Sequence, residues 1–240
     1  MVESYFVGSY WLGRRESAGA CARRAEHFFQ VLAQLDPTWR HWFQYGKTLK
    51  QALSRTVEPT AATFEGFFAK KKYQMPEHGF LFDTWNGQEQ GSSTHVHLVC
   101  GSSSVVSCDK CLLDLPRRGA NAERVLCAPM VTEILRAVAL AWEPDKGMVT
   151  SDDHLAIVAP DHKLPDMVVG WVTYLSRRRG QVPPLPEPVR VEPVEDKGTL
   201  IVLTPERFTA TNPAHVELAE QVRQRLEQAG LAGPMLPWTE

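Results

Sequence analysis

The chain is predicted to adopt an α+β fold: a mainly antiparallel mixed sheet, or sheets, with about four to five helices packed on it. Three observations carry this. The hydrophobic patterns run strand, helices, strands, helix, strands, helix, which is not a regular β-α-β alternation. Successive β-like stretches, "GFLFDTW", "THVHLVC" and "SVVSCDKCLLDLP", follow one another as a meander, with Asn86-Gly87 supplying turn chemistry. Segments on either side repeat apolar residues at helical spacing. The 240 residues are 43% hydrophobic and 22% charged, an ordinary globular composition able to bury a core. They read as a single domain with a weak pseudo-division near 116–123, "PRRGANAE".

Each element has a local reason. Tyr5 to Trp11 mixes aromatics and small residues like a strand with one packed face. From Ser17, the positions Ala18, Cys21, Ala25, Phe28, Phe29, Leu32 and Leu35 make a helical stripe that Asp36-Pro37 stops. A short helix bearing Trp39, Trp42 and Phe43 is expected next, then another from about Pro59 to Lys70. "APMVTEILRAVALAWEPD" is a helix ended by Pro144. "HLAIVA", "DMVVGWVTYLS" and "GTLIVLTP" read as strands, and "QVPPLPEPVRVEPVED" as a stiff connector. The last helix is capped by Asn212, has Pro213 in its first turn and ends at Gly230.

The net charge of −2 does not by itself indicate nucleic acid, but its distribution is uneven: residues 1–72 carry +5 and the remainder −7. No signal-peptide pattern opens the chain, and no run reaches the roughly 18 apolar residues of a membrane span, so a cytoplasmic protein is expected. Five cysteines without an export signal suggest reduced thiols.

Candidate chemistry is sparse. His95 and His97 share a strand face, and Cys108 and Cys111 have zinc-knuckle spacing, which keeps a zinc- or cysteine-dependent hydrolase as the alternative. On a strand, however, those cysteines point to opposite faces, and no second paired motif exists. No GxSxG, HExxH, GxGxxG or P-loop appears, so no catalytic residue, metal or cofactor is assigned. The basic groups Arg14-Arg15, Arg23-Arg24, Lys70 to Lys72, Arg117-Arg118 and Arg177 to Arg179 lie scattered at element ends and read as solvated turns rather than a nucleic-acid face. The acidic stretch from Glu143 to Asp166 reads largely as loop and suits a basic partner. Trp85, Trp142 and Trp171 sit in apolar patterns, whereas Trp11 and Trp238 fall at element edges and are expected to be exposed.

"YFVGSYWLGRRES" followed by "CARRAEHFFQVLAQLDP" resembles the opening of the immunity protein 52 family of polymorphic-toxin immunity proteins. "FLFDTWNG", "ILRAVALAWEPDKGMVTS", "VGWVTYLS" and "GTLIVLTPERFTATNPAHVELAEQVRQRLEQAGL" extend the resemblance over nearly the whole chain, least so at about Gly46–His78. The resemblance implies a protein that neutralises a cognate nuclease toxin of restriction-endonuclease-like fold, often delivered by type VI secretion. It implies stoichiometric binding and no turnover, with an effector-binding adaptor or chaperone as a further alternative. On that reading, Asp145, Asp152, Asp153, Asp161 and Asp166 are the expected toxin-binding residues.

Overall fold

The computed structural model describes residues 2–104, 107–160 and 166–238. The chain opens with β1 (Tyr5–Leu12), α1 (Ala18–Leu35), β2 (Trp42–Phe43), α2 (Leu49–Leu53), β3 (Thr56–Val57) and α3 (Ala61–Phe68). β4 (Gln74–Met75), β5 (Gly79–Trp85), β6 (His95–Cys100) and β7 (Cys108–Asp114) form the meander. α4 (Gly119–Val125), α5 (Ala128–Trp142), β8 (Lys146–Ser151) and α6 (Asp152–Val158) follow. β9 (Val172–Ser176), β10 (Arg190–Val194), β11 (Gly198–Val202) and α7 (Pro213–Gln228) complete the described residues.

The strands form an 11-stranded sheet in the order β10-β11-β9-β8-β1-β7-β6-β5-β2-β3, with β4 beside β5. Every pair is antiparallel. The α+β class therefore holds, with seven helices among the described residues where four to five were expected. The added ones, α2, α4 and α6, are five to seven residues long, too short for periodicity to reveal.

The pleat of β1 divides the two faces. Tyr5, Val7, Ser9 and Trp11 are buried on the helix side, and Trp11 stacks on Trp142 of α5 with ring centroids 5.9 Å apart. Trp11 is thus a core residue and not an exposed edge. α5 contacts β1, β8, β9, β10 and β11, while α1 packs against α5 and α3. Phe29, Trp42, Phe64, Phe68 and Phe82 join the other half of this core through mutual ring contacts. Burying each such ring stabilises the fold by about 1.5–3 kcal/mol. Trp39 ends a 3₁₀ turn (Pro37–Trp39) and Trp42 begins β2, so the short helix expected there is absent.

Three further expectations are corrected. The segment after Pro144 is not loop: β8 runs between β1 and β9, and Gly147, Met148, Val149, Thr150 and Ser151 are all buried. "HLAIVA" is not a strand. Ser151 caps α6, its Oγ accepting from the His154 N–H at 3.2 Å, and Asp152 and Asp153 occupy the first turn, where acids favour a helix start. Arg179 is not a solvated turn residue: its side chain is 2% exposed, ion-paired to Asp145.

That pair anchors the chain's end. Asp145 Oδ2 accepts from Arg179 Nη2 at 2.5 Å and Nε at 3.1 Å, and from the Leu236 N–H at 3.1 Å. Arg179 also donates to the carbonyls of Leu231, Gly233 and Pro234. Beyond it, the guanidinium groups of Arg14 and Arg178 lie over the Trp238 ring, 4.3 and 4.8 Å from its centroid. Arg14 is buried and donates to the Trp142 carbonyl, so the Gly13-Arg14 turn is a structural corner.

Asp109, on the helix side of β7, is fully buried. Its Oδ2 accepts from the Ser102 N–H at 3.3 Å, and its Oδ1 has no hydrogen-bond partner among the described residues, so the carboxylate is only partly satisfied. Burial pushes its pKa up to about 7, against the lowering influence of backbone N–H groups and Arg14. A carboxyl raised in the folded state holds more protons folded than unfolded. Its contribution to stability therefore falls as pH rises from the unfolded value of 3.8 through about 7, then levels off. Asp109→Asn is expected to remove that slope, which is at most about 1.4 kcal/mol per pH unit. Urea unfolding of both proteins between about pH 5 and pH 8 measures it; an unchanged slope in the variant would rule this out.

Candidate functional site

On the second sheet face the helices leave β5, β6, β7 and β1 less covered. Phe6, Tyr10 and Leu12 of β1, Lys110 and Leu112 of β7, and His95 and His97 of β6 are half-buried there. Register sets them side by side: Phe6 opposes Asp114, Tyr10 opposes Lys110, and His95 opposes both Asp114 and Trp85. The two imidazoles do share a face, but they are engaged differently. His95 Nδ1 lies 2.6 Å from the Tyr45 hydroxyl and its Nε2 3.0 Å from Ser93 Oγ. His97 Nδ1 lies 2.7 Å from Asp83 Oδ1. Burial lowers the pKa of His95 and pushes that of Tyr45 up to about 12. Cys111 is buried on the opposite face from half-exposed Cys108, as the strand alternation requires. Among the described residues no three His, Cys, Asp or Glu side chains converge as a metal site.

The five expected contact residues separate. Asp145 is buried in the Arg179 pair and presents nothing to a partner. The residue follows a helix stop and precedes a central strand, so the chain is inside the protein at that point. Asp161 lies outside the described residues. Asp166 is exposed, and its carbonyl accepts from Lys146 Nζ. It lines an apolar groove of about 470 Å³ with Tyr10, Met148, Met167 and Met235. Asp152 and Asp153 are exposed side by side at the start of α6, and Asp152 lines a separate crevice of about 440 Å³ with Asp114, His95 and Arg117.

That crevice is electrostatically unbalanced. Burial first, then the neighbouring charges of Asp114 and Asp153, raise the Asp152 carboxyl above its ordinary range, with Arg117 opposing. Like charges this close disfavour ionisation unless a cation joins them. Asp114 was not singled out by sequence reasoning, although strand alternation puts it on the same face as Leu112 and Lys110. His154 and Ile157 of α6 carry no local signal either, because the apolar residues of that segment suit a strand as well as a helix. Arranged this way, the carboxylates can bind a basic surface, and Ser93 Oγ and His95 Nε2, 3.0 Å apart, line the same crevice as Asp152.

The sequence matches the immunity protein 52 family over residues 3–235. The chain belongs to that family. Membership gives this immunity protein 52 chain an immunity role and implies a toxin as its partner. The fold is similar to that of the Pseudomonas aeruginosa T6SS protein PA0821, at a TM-score of 0.54 and 14% identity, covering 96% of this chain and 81% of that one. A comparison with curated proteins found no match. Among the described residues no single helix is long and apolar enough to cross a membrane.

Proposed function

We propose that this immunity protein, acting as a single domain in the cytoplasm, neutralises a nuclease toxin of restriction-endonuclease-like fold by stoichiometric binding and without turnover. The observation that carries the reading is the family match over residues 3–235, which calls for a toxin partner. The exposed carboxylates of Asp152 and Asp153, neither of them ion-paired among the described residues, support a basic partner such as a DNA-binding cleft. Asp166, on its own groove, is a peripheral member of the same proposed surface. The likeness to a T6SS protein is in keeping with delivery of the toxin by type VI secretion.

The test is co-expression of this chain with the protein encoded by its neighbouring gene. Survival with the chain, and loss of viability with DNA degradation without it, is the expected result. Equal killing in both cultures would overturn the reading.

A further inference from the structure

Between α6 and α7 lies a cavity of about 390 Å³ whose walls include Ile157, Val158, Val168, Val216 and Ala219. Its lining also includes His154, which is 1% exposed. His154 Nδ1 lies 2.9 Å from Thr150 Oγ1, and Phe208 meets the imidazole edge-on with centroids 4.9 Å apart. The other ring nitrogen, Nε2, is buried and has no hydrogen-bond partner among the described residues. An unsatisfied buried polar atom is costly, so a hydrogen-bonding occupant would relieve that cost. At the mouth, Glu220 and Arg223 are paired at 2.7 Å, and Ile157 stands 50% exposed.

We propose that this cavity receives a tyrosine side chain of the toxin, its ring between α6 and α7 and its hydroxyl on His154 Nε2; the toxin as source rests on the function proposed above. A mainly apolar wall whose buried polar atom is unpartnered, with Glu220 and Arg223 paired to each other, calls for an occupant with an apolar body and one polar tip. A tyrosine hydroxyl both donates and accepts, so it satisfies Nε2 in either tautomer, whereas an indole N–H satisfies only one. Asp152 and Asp153 stand in the first turn of the same helix, next to His154 in the chain. An aromatic anchor pocket beside a charged rim is the arrangement of an interface hot spot. A second copy of this chain fits less well: a two-fold contact through α6 would set the Asp152 and Asp153 pairs of both copies against each other.

The experiment uses the full chain with labelled histidine and p-cresol, the tyrosine side-chain mimic, as the probe. A saturable shift of the His154 resonances is expected, lost in Val216→Trp, where the indole fills the cavity from a half-exposed helix position. No saturable shift overturns the proposal. In parallel, Val216→Trp is expected to weaken binding to the neighbouring-gene toxin at least tenfold. His154→Phe, which keeps the ring but removes the hydrogen bond, serves as a second variant with its melting temperature checked. Wild-type affinity in both variants overturns the pocket but leaves the immunity function intact. Absence of any complex with the wild-type chain overturns the toxin as the source, while the p-cresol result still decides the pocket. A dimer dispersed by Val216→Trp would assign the cavity to a second copy and contradict the proposal.

Discussion

Replacing Arg179 with alanine is expected to destabilise the protein by about 3–5 kcal/mol, the cost of leaving a buried charge uncompensated. Asp145 is 0% exposed and receives both Arg179 Nε and Nη2. Arg178 approaches Asp145 Oδ1 only to 3.8 Å, so it cannot substitute. The same guanidinium holds the carbonyls of Leu231, Gly233 and Pro234, so its loss also frees the chain's end. For a chain of this size the melting temperature should fall by roughly 10 °C. Arg177→Ala is the control: that side chain is 69% exposed, 4.0 Å from Asp196, and such pairs contribute about 0–1 kcal/mol. A melting temperature for Arg179→Ala equal to that of Arg177→Ala would refute the anchoring role.

Reversing both exposed carboxylates of α6, as Asp152→Lys with Asp153→Lys, should leave the fold nearly intact. Each acid contributes only about 0.3–1 kcal/mol through its place in the first helical turn. The binding effect is expected to be much larger. Steering of oppositely charged partners raises association rates by factors of about 10 to 1,000 and is screened by salt. The doubly reversed protein should therefore associate with the toxin at least tenfold more slowly at low ionic strength, with a flatter salt dependence. Charge reversal also turns attraction to a basic cleft into repulsion. Stopped-flow association at two salt concentrations measures both. An unchanged rate would remove Asp152 and Asp153 from the docking surface.

The long elements were legible in the sequence because each declares one face. α1, α5 and α7 bury the residues that helical spacing selects, and Ser17, Asn212 and Pro213 mark their starts as expected. β5, β6 and β7 were legible as a meander. β8 was hidden by its opening: Glu143, Pro144, Asp145 and Lys146 look like loop, yet Asp145 is internal because Arg179 arrives from 34 residues later in the sequence. No local pattern records such a partner. "HLAIVA" suggested a strand because its apolar residues satisfy either period, and the Ser151 cap with two acids decided for helix. The acidic character of the 143–166 segment was legible; its division into one buried anchor and a surface pair was not. Asp114 joins Asp152 through sheet pairing of β1 with both β7 and β8, a fact of topology alone.

Titrating purified toxin with this immunity protein while following DNA cleavage separates inhibition by occupancy from turnover. Occupancy requires activity to fall linearly to zero at one equivalent and to stay there, with both chains recovered uncleaved and unmodified from the complex. Complete loss of toxin activity at a small fraction of an equivalent, or recovery of a covalently altered toxin, would mean that the protein acts as a catalyst and would contradict it.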